Sequence, residues 1–224
     1  MCWSATADLT AGTGIAAVGV ACAAVAVRRR RLRDLPLAAL PLLLGAHQIV
    51  ESVVWRSGGG AGPATTVWAV IALSVLAVWV PFGVLLAASP PVRGRLVAPA
   101  ASGVIVAALL ALRMITGTVT AEIRRHTVGY AVDLPYAPLL VAAYLLATVG
   151  SLLLAGGRVL RLVGVLVGAG AVVCLALWRT AFFSTWCAVA AVVSVALLAW
   201  VCRPAGRGTG RDLADTASPG HPPH

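Results

Sequence analysis

The chain has no lysine. Every one of its 17 basic residues is an arginine, only 7 residues are acidic, and charged side chains make up 11% of 224 residues. A water-soluble fold needs far more polar surface than this, so the soluble class is excluded. The formal charge of +10 would suit a nucleic-acid binder. The arginines, however, stand at the ends of apolar runs, where membrane topology places them. The expected partner is the lipid bilayer, and nucleic acid is not one. The first nine residues hold no arginine and one acid, Asp8, and the basic cluster follows the first apolar run. That order does not fit a cleaved secretory signal. It fits a reverse anchor with a short exported tail. Signature motifs are missing too: no CxxC, HExxH, P-loop or nucleophile elbow is present, and no internal repeat of the transporter kind.

What the chain does have is apolar length, 60% of it hydrophobic. Seven spans can be read: about Leu9 to Val27, Leu35 to Trp55, Thr66 to Ala88, Leu96 to Ile115, Pro138 to Leu154, Val159 to Trp178 and Phe183 to Val201. Each approximates the roughly 20 residues that a bilayer requires. The expected fold is an all-α seven-transmembrane-helix bundle over residues 1–203. A Gly-, Pro- and Arg-rich tail, 204–224, is expected to be disordered. With the N-terminus outside, twelve arginines fall on the inner side and five (Arg56, Arg113, Arg124, Arg125, Arg179) on the outer. The positive-inside rule then gives an N-out, C-in, multi-pass protein of the plasma membrane. Trp3, Trp55, Trp68, Trp178 and Trp186 fall near the outer ends, as an aromatic belt requires.

Two outer connections stand out. Ser57 to Pro63, SGGGAGP, reads as a flexible loop without chemistry of its own. Between spans four and five, Val119, Ala121 and Ile123 alternate with polar residues, and Val128, Tyr130 and Val132 alternate again beyond Arg124-Arg125-His126. Period-two alternation about a polar centre predicts a β-hairpin over 118–132.

The second span carries the polar interest. His47, Glu51 and Trp55 recur at i, i+4 and i+8, so they line one helix face, with Gln48 and Ser52 beside them. An ionisable group in a membrane span costs roughly 3 kcal/mol at mid-depth, which drives it toward other helices or a wet cavity. The stripe therefore either holds the bundle together by hydrogen bonds or floors an outward-facing pocket. Around it, at the same depth, topology gathers Cys2, Ser4, Arg113, His126, Tyr130, Trp186 and Cys187. Arg113 is placed to neutralise Glu51. His47, Glu51, Cys2 and Cys187 are zinc-type ligands, though without tight ligand spacing. Cys2 and Cys187 share the oxidising side, so a disulfide between them is permitted. Cys22, Cys174 and Cys202 read as small apolar fillers. Three functions follow: a pocket that binds or senses a small ligand; a membrane-embedded enzyme, such as a metal-dependent hydrolase, with His47 as acid/base or metal ligand; and a transporter or structural bundle.

The opening Met1-Cys2-Trp3-Ser4-Ala5, the stretch Leu35 to Gln48 with Glu51 and Trp55, and the late Ser184-Thr185-Trp186-Cys187 together resemble an uncharacterised bacterial family of integral membrane proteins, a domain of unknown function. Its members typically open Met-Cys-Phe-Ser-Ala; here Trp3 replaces Phe. The resemblance implies no activity. It draws attention to Cys2, Ser4, His47, Glu51, His126, Tyr130, Trp186 and Cys187 together. If spans one, two and seven are neighbours, Cys2, His47, Glu51 and Cys187 are expected to form one cluster on the outer half of the bundle, with His126 or Tyr130 of the hairpin above it. The seven-helix hydrolases related to alkaline ceramidase are a fold-level analogy only, since their His-x3-His pair on the last span is absent here.

Overall fold

The computed structural model describes residues 4–124, 127–176 and 182–203, with side chains for all of them except 174–176 and 182–188. Helix α1, Ala5–Arg28, opens on Ser4, whose hydroxyl accepts the Ala7 N–H at 3.2 Å. It thereby satisfies one of the orphan donors of the first turn. The helix closes with the Arg30 N–H bonded back to Val27 and the Arg31 N–H to Ala26, both at 2.9 Å. This is a Schellman stop, whose left-handed position usually holds glycine. Here it holds Arg30, at φ 53°, and a non-glycine residue in that region costs about 1 kcal/mol or more.

A single 3₁₀ turn, Leu32–Asp34, leads into α2, Leu35–Ala38, and α3, Leu40–Arg56. The expected unbroken span from Leu35 is therefore interrupted at Ala39. Pro41 explains the break: it lacks an N–H for the Leu37 carbonyl, and its ring crowds that same carbonyl. The third segment runs through α4, Pro63–Ala69, a π-helical turn, Val70–Val75, and α5, Leu76–Ala87. The fourth is one helix, α6, Pro90–Thr116. After it come β1, Thr120–Arg124, and β2, Thr127–Ala131, paired antiparallel with Glu122 opposite Gly129. This is the expected hairpin. The fifth segment joins α7, Ala137–Leu145, a second π-helical turn, Leu146–Gly150, and α8, Ser151–Leu154. Helices α9, Arg158–Ala176, and α10, Phe182–Cys202, complete the order.

Five of these segments are long and apolar enough to cross a bilayer: Ala5–Arg28, Leu32–Arg56, Pro63–Ala87, Pro90–Thr116 and Ala137–Leu154. The outward face of α6 keeps Val104, Ile105, Leu109 and Leu112 exposed, a row that suits lipid and not water. The chain is largely helical, and these five helices suggest a membrane protein.

Close backbone contact between α1 and α3 organises the N-terminal half. A Cβ on Gly45 would lie 2.7 Å from the Ala16 nitrogen and from the Gly12 carbonyl oxygen, and one on Gly12 would meet the Gln48 Cβ at 2.9 Å. Small residues let two spans approach this closely in the absence of a hydrophobic drive between them. The two helices run antiparallel, so the first turn of α1, with Asp8, lies against the last turns of α3. Elsewhere the spans are joined by hydroxyl donors. Ser74 reaches the Ala107 carbonyl at 3.2 Å, Ser102 that of Ala143 at 2.9 Å, and Tyr144 that of Ala72 at 2.7 Å. These bonds close a triangle among the third, fourth and fifth segments. Ala72 and Ser74 both belong to the first π-helical turn, where the ladder is locally relaxed. The main apolar core includes Leu37, Leu76, Val84, Leu96, Leu152 and Leu197.

The glycine loop is not the free connection that its composition predicts. Gly60 exchanges both backbone bonds with Ala121, at 2.7 and 3.1 Å, which adds a third short strand position to the hairpin. Gly58, Gly59 and Gly60 all hold φ near +78° to reach it, and a Cβ on Gly59 would strike the Ala121 carbonyl oxygen at 2.6 Å. Gly59→Ala should therefore cost about 2 kcal/mol, from strain and steric conflict together. Thermal unfolding in detergent, compared with Gly62→Ala in open space, checks this. Equal melting of the two variants would show that the loop does not anchor the hairpin.

Candidate functional site

Helix α3 is buried along the polar stripe: His47 is 5% exposed, Gln48 2%, Glu51 1% and Ser52 1%. Ser52 satisfies itself locally by donating to the Ile49 carbonyl at 2.7 Å. His47 and Glu51 meet a residue of another element. The His47 ring packs against Trp68 of α4, centroids 4.9 Å apart and tilted by 39°. Trp68 in turn stacks flat on Tyr130 of β2, at 3.4 Å and 4°. Its indole N–H faces Glu51. Thr65, one turn before Trp68, donates to the Gly60 carbonyl at 2.9 Å, tying α4 to the glycine loop. A continuous column thus runs from the membrane stripe through Trp68 to the hairpin.

Asp8 joins the column from α1. It is fully buried and close enough to Glu51 and Tyr130 for charge to couple the three. The indole N–H of Trp55 faces the Asp8 carboxylate, but no hydrogen bond of ordinary geometry forms between them. Both Asp8 oxygens, Glu51 Oε1 and His47 Nε2 are buried with no hydrogen-bond partner among the described residues. Buried polar atoms are nearly always satisfied, so four such atoms in one cluster call for an explanation. Burial first, then the Glu51 and Asp8 carboxylates, push the Tyr130 phenol above its ordinary range. The phenol therefore keeps its proton and can donate at physiological pH.

The other expected site residues are distributed as follows. Ser4 is the exposed N-cap of α1. Arg113 is exposed, and among the described residues the ion pairs are Arg31–Asp34 and Arg124–Glu122. Arg113 therefore does not neutralise Glu51; its place in the last turn of α6 turns its side chain to the surface. The Arg124–Glu122 pair, at 2.6 Å on the open hairpin edge, holds Glu122 below the usual carboxylate range, first through the hydrogen bond and then through charge. Cys22 is buried as expected, but Cys202 is exposed at the end of α10 and fills no core. Cys2, His126, and the side chains of Cys174, Trp186 and Cys187 lie outside the described residues, as do His221, His224 and the tail. Among the described residues, no three metal-ligating side chains converge.

The family follows from the whole-length match. The chain belongs to the family of unknown function DUF6629, whose model matches residues 1–211. No curated protein and no solved structure matches it. The DUF6629 region covers every element above, so the polar column and the hairpin are both parts of the family's domain. Asp8 is the site member that spacing alone does not reveal. It falls outside any apolar periodicity, and the only signal for it is an acid directly before a membrane run.

Proposed function

We propose that this DUF6629 protein is a seven-span, N-out, C-in protein of the plasma membrane that binds a small cationic ligand between α1, α3 and α4, beneath the hairpin. The observation that supports the reading is the pairing of Asp8 and Glu51, buried on different spans, with three carboxyl oxygens that have no hydrogen-bond partner among the described residues. Two carboxyl groups walled by the aromatic rings of Trp55, Trp68 and Tyr130 suit a ligand that brings positive charge. Helices α9 and α10, at 19 and 21 residues, supply spans six and seven in this reading. The arginine asymmetry supplies the orientation.

Two tryptophans at the site make a titration possible. Intrinsic fluorescence of the purified protein should change saturably with ethanolamine or guanidinium and not with acetate. Glu51→Gln, which keeps the shape but cannot become a carboxylate, should weaken that binding about 10- to 100-fold, the worth of a charge-assisted hydrogen bond. A response to zinc alone would replace the organic cation by a metal. No saturable response to any of these probes would overturn the reading. Orientation is tested separately: reporters active only in the cytoplasm or only outside it, fused at each terminus, should place the N-terminus out and the C-terminus in.

A further inference from the structure

The opposite end of the bundle, away from the polar column, carries a second site. The arginines that follow α1 divide into two sets. Arg29 donates to the Cys202 and Arg203 carbonyls at 2.7 and 2.9 Å. Arg31 donates to the Val201 carbonyl at 3.1 Å, pairs with Asp34 at 2.5 Å and stacks over Trp200. These two close the C-terminal end of α10, where cations complement the helix dipole. Arg30 and Arg33 do neither. No carboxylate pairs with them among the described residues, and both line a cavity of about 550 Å³ between the α1–α2 turn and the start of α6. Its far wall is Leu86, Ser89 and Pro90. The first turn of the 27-residue α6 opens there, and the Ser89 hydroxyl makes no capping bond. The one acid of the lining, Asp34, is already engaged by Arg31. Among the described residues, two uncommitted guanidinium groups and a free hydroxyl therefore face one space.

The backbone adds an independent sign. Arg30 occupies the left-handed position of the α1 stop, where glycine is the residue of least strain. A local rule broken at this point, with the side chain delivered into the cavity, is what a functional contact predicts and a merely topological charge does not. Leu32 and Leu86 are exposed beside the opening and offer an apolar surface next to the charge.

We infer that this cavity seats a phosphate group, held by Arg30 and Arg33 and supplied by the headgroup of an anionic phospholipid whose chains run over Leu32 and Leu86. Basic pockets between spans take such headgroups, and each arginine near the surface adds about a fivefold preference. The seat is separate from the Asp8–Glu51 cluster and does not depend on a ligand there.

The test uses the full chain purified in neutral detergent, with bound lipid read by native mass spectrometry and by thermal shift. Phosphatidylglycerol should be retained and should raise the melting temperature, and phosphatidylcholine should not. Arg30→Gln with Arg33→Gln should weaken retention roughly twenty- to thirtyfold. Arg95→Gln with Arg158→Gln, which removes the same charge from exposed positions at the same end, should change it little. Arg30→Gly separates binding from folding: it relieves the left-handed backbone, so the lipid-free protein should melt no lower than the wild type while still losing lipid. Inorganic phosphate that protects as well as the lipid would keep the seat and make its source soluble. Equal retention of phosphatidylcholine, or equal losses in the two double variants, would overturn the site.

Discussion

Gly45→Leu is expected to destabilise the protein by about 3 kcal/mol or more, the upper end of overpacking, and to abolish ligand binding at the polar column. The reason is that both sides of the contact are backbone. A first side-chain carbon at Gly45 would already lie 2.7 Å from the Ala16 nitrogen and the Gly12 carbonyl oxygen and 2.8 Å from the Ala16 Cβ, and none of these can rotate away. The helices must separate, and Asp8, one turn beyond Gly12, then leaves Glu51. Gly14→Leu is the matched control, since nothing lies within 4 Å of that position. There the substitution should hold or raise the melting temperature, because glycine costs a helix interior up to about 1 kcal/mol. Melting of both variants in the same detergent decides it. A Gly45→Leu protein that melts like the wild type would mean that α1 is not docked on α3 through this contact, and the shared site would lose its basis.

That contact shows where the sequence is legible and where it is not. Helix existence follows from apolar length, which any window of hydropathy detects. The hairpin follows from alternation on either side of Arg124. The stripe His47, Glu51, Trp55 follows from helical spacing, because all three belong to one element. What spacing cannot supply is the partner of each element. Gly12, Ala16 and Gly45 read as ordinary residues of an Ala- and Gly-rich chain until α1 and α3 are seen crossing there. Asp8 reads as a tail residue because apolar content begins at Leu9, whereas the Ser4 cap starts the helix at Ala5. The glycine loop reads as slack because its order comes from Ala121, some sixty residues away. The break at Ala39 was legible in principle, since Pro41 carries its own steric argument. The first π-helical turn is not, since its Ala72 carbonyl is taken up by Tyr144 of a neighbouring segment.

Trp68→Ala should be the most damaging single truncation at the site, costing about 3–5 kcal/mol as large buried aromatics do. Trp68 is 7% exposed and joins the His47–Glu51 stripe to the hairpin at Tyr130. Its loss removes the support under Tyr130 and opens the His47 ring to the space above. Stacking alone accounts for about 0.5–1.5 kcal/mol of this, so a double-mutant cycle with Tyr130→Ala should show non-additivity of about 1 kcal/mol. Trp68→Phe divides the two roles. It keeps a ring between His47 and Tyr130 but removes the indole N–H that faces Glu51, so stability should fall much less than in Trp68→Ala while cation binding still changes. Hydrogen exchange reads the coupling directly. In Trp68→Ala the amides of Ala121 and Val128, buried in the hairpin, should exchange faster even though no strand residue has been altered. If their protection is unchanged, the hairpin is held by the glycine loop alone, and it does not respond to what happens at Glu51.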